Sequence, residues 1–475
     1  MPSPPTGRRG FLTATAGVLG LGSALASARD DPKAADATTS FTEPARVIPC
    51  RDGADVIVCG GGPAGTAAAL AAARSGARVR LFELQGALGG VWTSGLLTYI
   101  FDFAKPGLTE ELKRRLDERG ARRSTRADNF VYEPEEMKIL LEELCQEAGV
   151  DVHLHTRLAA AYPQGGRLST VVTESKSGRQ AWHASTFIDA TGDGDLGALA
   201  GCGWDVGQQA DCPCQPMTLN ALVVVENASE LSHFMSFYGD TTRHIPAVEA
   251  FRGELARAGV TTSYGHPTLF HVRDDLVLLM INHEYNVKPF DEPAITSATL
   301  RARGEVFRVV RALRTLGGPW SKIQVAATAE QIGVRDGRRI HGRYTVSKPD
   351  LVSGARHPDA VARVTFGADI HAADRATNDK ETISHGGFPT RPYDIPLRAL
   401  IARDVDGLLT AGRCISGDFI AHASYRVTGN AVAMGEAAGA TASIAARTRR
   451  LPHEVPWSEV ASALEILRRP KPPQS

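Results

Sequence analysis

Apolar runs too short for helices alternate with alanine-rich stretches along the first part of the chain. Asp55–Cys59, DVIVC, is apolar at almost every position, the pattern of a strand buried on both faces of a parallel sheet. Thr66–Ser75 is rich in alanine and predicts a helix that Gly76 stops, and Arg78–Phe82 predicts a second strand. Apolar residues at helical spacing in PEEMKILLEELCQ predict a helix over Glu133–Gln146, followed by a strand at Val150–His155. Leu158–Tyr162, Gly165–Ser175 and Arg179–Phe187 read as an antiparallel meander, with turns at Pro163–Gly166 and Ser177-Gly178. From Trp204 to Pro392 strand-like runs such as Leu219–Val225 and Leu276–Ile281 mix with polar and helical stretches. The small-residue stretch Val427–Ala440 predicts a long helix, and the segment after Pro456 a last short helix with a loose tail.

The turn between the first strand and its helix carries chemistry. Gly60-Gly61-Gly62-Pro63-Ala64-Gly65 has G-x-G-x-x-G spacing directly after a strand and directly before a helix. In that register Gly60 allows the tight turn, Gly62 lets the backbone approach a pyrophosphate, and Gly65 lets helix and strand pack closely, while Pro63 and Ala64 open the helix. The helix N-terminus presents unpaired N–H groups to the phosphates. Glu83, at the end of the second strand and followed by Leu84, is placed to bind ribose hydroxyls, and an acid there disfavours a 2′-phosphate. FAD and NAD remain.

A second glycine pair, Gly89-Gly90 in GALGGVWTSG, follows six residues after the ribose acid. TFIDATGDGD at 186–195 runs an apolar strand into Ala-Thr-Gly, GLLTAGR at 407–413 forms another strand end, and VTGNAVAMGEAAGA at 427–440 follows. Together these motifs resemble FAD-dependent oxidoreductases of the group that includes heterodisulfide reductase-like flavoproteins and, more remotely, fumarate reductase flavoproteins. The resemblance spans about residues 53–447. It implies a two-dinucleotide-binding-domain type of α/β flavoprotein fold: a Rossmann-like FAD domain with an antiparallel meander, and an inserted α+β substrate or cap domain. It further implies cofactor contacts at Leu84, Gly89, Gly90, Thr191, Gly192, Gly412, Arg413, Gly429 and Asn430. The last two open the helix that points at the flavin ring. Many flavoproteins have Gly-Asp to hold the ribityl chain where this chain has Gly412-Arg413-Cys414, with Asp418 the nearest downstream acid; the Gly-Arg-Cys form resembles the heterodisulfide reductase-like group and favours it over the glutathione reductase type.

The resulting organisation is a signal at 1–28, a linker at 29–50, the FAD domain in two parts at 51–203 and 393–447, an insert at 204–392, and a C-terminal helix and tail at 448–475. Arg8-Arg9-Gly10-Phe11-Leu12, an uncharged stretch to Ala26 and the site Ala26-Ser27-Ala28 read as a twin-arginine export signal. The stretch is too mild and short for a membrane span, and the expected location is extracytoplasmic.

Catalytic candidates gather before the flavin-facing helix. In DFIAHASYRVTGN, His422 is a candidate proton donor or acceptor, or a core histidine; Arg426 is a candidate carboxylate clamp, or the partner of a nearby aspartate. His371 and His385 are weaker candidates. Arg335, Arg338 and Arg339 read either as an anion site or as the start of a salt-bridged strand.

Composition narrows the partners. The 475 residues are 43% hydrophobic with 53 basic and 53 acidic side chains, ordinary for a globular enzyme and without the basic stripe of a nucleic-acid binder. The expected partners are a small-molecule substrate and an electron donor or acceptor. Cys202, Cys212 and Cys214 lack the tight C-x₂-C repeats of a ferredoxin run; a 4Fe–4S cluster enters through the resemblance alone, beside a disulfide or free thiols. Three functional classes stand at this point: an enzyme acting on its own substrate, an electron relay to a partner protein, and a protein that keeps FAD as a structural element.

Overall fold

The computed structural model describes residues 40–125, 129–208, 212, 214–239, 243–378, 380–381 and 383–469. The export segment and the first part of the linker lie outside them. The chain divides into a unit ending at Val47 and a second unit, Ile48–Ser475; residues 40–47 carry no regular structure.

Five parallel strands form the centre of the second unit. In chain order the elements are β1 (Val56–Cys59), α1 (Pro63–Arg74), β2 (Val79–Phe82), α2 (Pro134–Glu147), β3 (Asp151–His153), β4 (Arg157–Gln164), β5 (Arg167–Ser175), β6 (Gly178–His183) and β7 (Thr186–Asp189). Then come β8 (Ala221–Val224), β9 (Thr268–Arg273), β10 (Leu276–Met280), α3 (Glu292–Thr315), β11 (Gln324–Thr328), β12 (Leu408–Thr410), α4 (Phe419–Tyr425) and α5 (Thr428–Thr448). The parallel sheet has the order β12-β7-β1-β2-β3, so the Ala-Thr-Gly strand lies beside the glycine-loop strand. All four residues of β1 are buried, as the unbroken apolar run requires.

The meander β4-β5-β6 is present, and its third strand is shorter than the sequence implies. The expected Arg179–Phe187 strand ends at His183, because the chain changes partner: Ser185 and Thr186 donate to the Asp55 carbonyl, and Thr186 then pairs in parallel with Val56. At the other turn β4 runs through Pro163 to Gln164, with a register shift at Tyr162/Pro163 where proline offers no N–H. Gly165 and Gly166, both at positive φ, make the reversal.

Residues 204–392 contain a four-stranded antiparallel sheet of order β9-β10-β8-β11. The 24-residue α3 packs against it with Val306, Val309, Val310 and Leu313 buried in a core shared with Val223, Val277, Leu279 and Trp320. No helix among the described residues is long and apolar enough to cross a membrane.

Two helices, α1 and α5, pack with their backbones almost in contact. Sixteen of the 21 residues of α5 are buried, nearly all of them small. A Cβ at Gly435 would lie 2.2 Å from the Ala64 carbonyl oxygen, and one at Gly439 2.2 Å from that of Ala68. Helix propensity favours Gly→Ala by about 1 kcal/mol, whereas forcing a methyl into a filled contact costs about 1–3 kcal/mol. With a backbone oxygen 2.2 Å from the new methyl the packing cost falls at the upper end of that range, so Gly439→Ala is expected to destabilise the protein by about 2 kcal/mol. Gly304→Ala, in the exposed middle of α3 with no atom within 4 Å of the new methyl, is expected to stabilise it by about 1 kcal/mol. Chemical denaturation midpoints of both variants measure the contrast; equal shifts of one sign would mean that the helix contact does not limit the fold.

Candidate active site

At the end of β1 the chain turns through Gly60, whose φ of +97° and 2.4 Å approach to the Ala190 carbonyl leave no room for a side chain. Gly65 is locked as tightly, since a Cβ there would fall 1.7 Å from the Gly60 carbonyl. Gly62 differs: nothing lies within 4 Å of its Cβ position. The loop is thus closed toward the protein and open on the side where Pro63 starts α1 and the N–H groups of Ala64 and Gly65 lack helical partners. Glu83 reaches this loop, accepting from the Gly61 N–H at 2.6 Å and the Gln85 N–H at 2.7 Å. Burial pushes its pKa up, against those backbone bonds. Leu84 is exposed. Gly89 and Gly90 fold back on the loop: the Gly89 N–H donates to the Gly61 carbonyl, and the Cβ position of Gly90 is 3.1 Å from the Gly62 Cα.

The returning strands close the same region. Asp189, buried with its pKa pushed up by burial to about 6, accepts from Thr191 N–H and Oγ1 and from the Gly197 N–H, which shapes the Ala-Thr-Gly turn. Gly412, at φ +85°, brings its Cβ position within 2.9 Å of the Ala64 Cβ and 3.8 Å of the Ala431 Cβ, so the first turns of α1 and α5 meet at this residue. Arg413 is spent on bracing: its guanidinium donates to the Gly192 carbonyl at 2.8 Å, to Asp193 Oδ1 at 2.7 Å and to the Val334 carbonyl. Gly429 packs on the Asp102 carbonyl, and Asn430 is fully buried with neither amide atom hydrogen-bonded. A buried amide without a partner is costly unless a ligand meets it.

His422 lies in α4 and Arg426 directly follows that helix, inside a buried polar cluster completed by side chains from residues 204–392. His422 Nδ1 is 3.1 Å from Asp336 Oδ1, off the alignment of a hydrogen bond, and both ring nitrogens are unpaired. Burial lowers His422 to about 4 despite that contact. Burial would raise Asp336, but His422, the Gln215 N–H and Arg426 together bring it down to about 2. Near neutral pH this is an uncharged imidazole beside a carboxylate. Arg426 donates to the Asp369 carbonyl and Oδ2 at 2.9 and 3.1 Å and to Gln215 Oε1 at 3.4 Å, while its Nε has no partner. Both alternatives for Arg426 are therefore present in one residue, an aspartate partner and an unspent donor.

The three arginines of GVRDGRRIHG separate. Arg338 pairs with Asp195 and lies over the rings of Trp204 and Phe290 at 5.3 and 4.7 Å, and Arg339 donates to the carbonyls of Gly207 and Gly417. Only Arg335 turns toward Arg426; burial, and then the Arg426 charge, lower its pKa to about 10. His385 bonds the Ala368 carbonyl at 2.8 Å. His371 belongs to the cluster: its N–H donates to Gln215 Oε1, its Nε2 is 3.2 Å from Asp369 Oδ2, and its Nδ1 is unpaired. Sequence reasoning missed Gln215, Tyr264, His283, Asp336 and Asp369. They sit on separate elements with no shared spacing, and only the RDGRR run marked the neighbourhood of one.

Cys212 and Cys214 are bonded to each other, and Cys202 lies apart, buried in the core under the meander.

A parallel sheet carrying a glycine-rich loop at a helix start, a buried acid bonded to that loop and a second helix start beside it is the frame of an α/β flavoprotein. The chain belongs to the FAD dependent oxidoreductase family, whose model matches residues 55–464. A search of curated proteins returns no match. Among solved structures the chain is similar to a geranylgeranyl bacteriochlorophyll reductase-like protein from Thermoplasma acidophilum, at 13% identity over 88% of this chain and 84% of that one, with a TM-score of 0.44. It is also similar to p-nitrophenol 4-monooxygenase from Pseudomonas putida, at 11% identity over 90% and 91%, with a TM-score of 0.42.

The open space at Gly62 gives a selective test. Gly62→Val adds a branched side chain where no protein atom stands, so the apoprotein is expected to fold with an unchanged thermal midpoint. FAD affinity should fall roughly a hundredfold, since each charge-assisted hydrogen bond lost to the pyrophosphate is worth about 1.5–3 kcal/mol. Flavin released per chain, measured by absorbance after denaturation, checks this; a normal FAD load in the variant would reject the loop as the pyrophosphate site.

Proposed function

We propose that this FAD-dependent oxidoreductase acts on a small organic substrate held at the His422–Arg426 end of the cofactor site. The observation that carries the reading is Asn430, fully buried with neither amide atom hydrogen-bonded, beside the fully buried His422, whose Nε2 has no partner while its Nδ1 faces Asp336; the two residues flank the start of α5. The residues present fit FAD: the Gly60–Gly65 loop and the α1 N-terminus for the pyrophosphate, Glu83 for a ribose, and the N-terminal turn of α5 with Asn430 for the ring. Bound there, FAD supplies acceptance or donation of a hydride. The chain supplies the rest. Neutral His422, with Asp336 to stabilise its charged form, takes a proton from the substrate or returns one. Arg426 orients the substrate through a planar group already held by Asp369, and the insert covers the site against water. The affinity with heterodisulfide reductase-like flavoproteins rests on Gly412-Arg413-Cys414, in which the arginine braces the turn.

An anaerobic screen of organic compounds for reduction of the bound flavin tests this reading. Arg426→Lys keeps the charge and loses the fork, so substrate-driven reduction is expected to weaken tenfold to a hundredfold, about 1.5–3 kcal/mol, at unchanged FAD content. Protein that cannot be reconstituted with FAD would sink the reading, and reduction that requires a second protein would replace the enzyme with a relay.

We also propose export by the twin-arginine route, supported by Arg8-Arg9 and Ala26-Ser27-Ala28. That route carries folded proteins, which suits a chain loaded with FAD before it leaves the cytoplasm. Arg8→Lys with Arg9→Lys is expected to retain the protein in the cytoplasm, as fractionation would show; unchanged export would remove the assignment.

A further inference from the structure

Around His422 and Arg426 the two buried carboxylates, Asp336 and Asp369, are already engaged, while one part-buried guanidinium, that of Arg335, has no carboxylate partner. Asp369 is committed to Arg426 and His371, and Asp336 to the Gln215 N–H and the His422 ring. Arg335 donates to the Pro216 carbonyl at 2.7 Å and to Thr218 Oγ1 at 2.8 Å, with no carboxylate within 4 Å among the described residues. A buried cation with only neutral partners is unfavourable unless an anion joins it.

Hydrogen-bonding capacity is left over at the same place. His283 Nε2, His371 Nδ1 and Arg426 Nε are all buried and unpartnered, and His283 and His371 are themselves more than nine-tenths buried. Their rings form one wall with Tyr264: His283 lies 4.1 Å from Tyr264 and 5.0 Å from His371, centroid to centroid. His283 comes from the segment after β10, His371 from the end of the insert, and Arg335 from the loop after β11, so only the folded insert gathers them. Burial, reinforced by the Arg335 charge, holds both imidazoles below their usual range and keeps them neutral; the one N–H of His371 goes to Asp369, whereas His283 can carry its proton on the unpaired Nε2 and offer it.

We propose that Arg335 and Arg426, with the unpaired Nε2 of His283, form an anion subsite that takes a carboxylate of the substrate. The inference rests on the substrate site proposed above and narrows it to organic acids. A carboxylate brings one negative charge and two coplanar oxygens able to accept several hydrogen bonds, matching guanidinium geometry. A phosphate dianion is tetrahedral and would bring a second charge into a buried site.

Calorimetric titration of the FAD-loaded chain with acetate, malonate and benzoate at constant ionic strength, against chloride and inorganic phosphate, tests the assignment, with the visible flavin spectrum recorded in parallel. The expected result is saturable binding of at least one carboxylate in preference to phosphate and chloride, with a spectral shift. Arg335→Met and His283→Gln should each weaken that binding tenfold or more at unchanged FAD content, while Arg273→Met, on the surface, leaves it alone. Indifference of the wild type to every carboxylate, preference for phosphate, or wild-type binding by Arg335→Met would each overturn the proposal. So would an Arg335→Met variant with an altered flavin potential and intact carboxylate affinity, because the cation would then serve the flavin. If Arg335→Met does not fold, Arg335→Lys and the wild-type titration decide. A wild type without FAD would count against the flavoenzyme reading, and calorimetry on that preparation would still judge the anion subsite.

Discussion

How near two helices can come to each other sets the geometry of this protein. α1 and α5 are built almost wholly from Ala, Gly, Ser and Thr, and at Gly435 and Gly439 the backbone of one lies where a methyl of the other would have to be. The consequence appears at their N-termini, where Gly412 packs between Ala64 in the first turn of α1 and Ala431 in the first turn of α5. Two positive helix ends are thereby aimed into one region, suited to a ligand with a pyrophosphate at one place and a ring that gains electron density at another. Larger residues along the shared face would still permit helices and sheet, but would part the two termini.

Much of this frame is legible in the sequence, because its signals are local. G-x-G-x-x-G, Glu83, Ala-Thr-Gly and the Gly-Asn helix start each state a backbone requirement within a few residues, and β1, α1, β2 and β7 lie where those signals put them, to within a few residues at their ends. The end of β6 was not legible, since a change of pairing partner at Ser185 leaves no mark on an apolar run. Nor was the cluster of the insert. Tyr264, His283 and His371 are brought together by tertiary packing, and each alone reads as an ordinary core residue. The RDGRR run was legible as a concentration of charge and misleading as a unit: alternating directions along a nearly extended segment send Arg335, Arg338 and Arg339 to three different environments.

Arg413 shows how a departure from a motif is absorbed. Where other flavoproteins place an acid after the last glycine, this chain places a guanidinium that gathers the Gly192 carbonyl, Asp193 and the Val334 carbonyl. It therefore ties the end of β12 to the Ala-Thr-Gly turn and to the insert at once. Burial pushes the Asp193 pKa up, against the Arg413 charge. The same bond fixes the loop holding Arg335, which follows directly on the tied Val334 carbonyl.

That coupling bears on how the charged cluster is held. Gln215 acts as a neutral splice: its N–H meets Asp336, and its side-chain oxygen accepts from the His371 backbone N–H and from Arg426. An amide in this position ties Asp336 to Arg426 without adding a charge, so Arg335 keeps only neutral partners. Held by Gln215 on one side and by the Arg413 brace on the other, the guanidiniums cannot swing to find new partners. A site that keeps the Arg335 guanidinium without a carboxylate and its imidazoles neutral spends folding stability to do so, and an anion of matching shape bound there would return it.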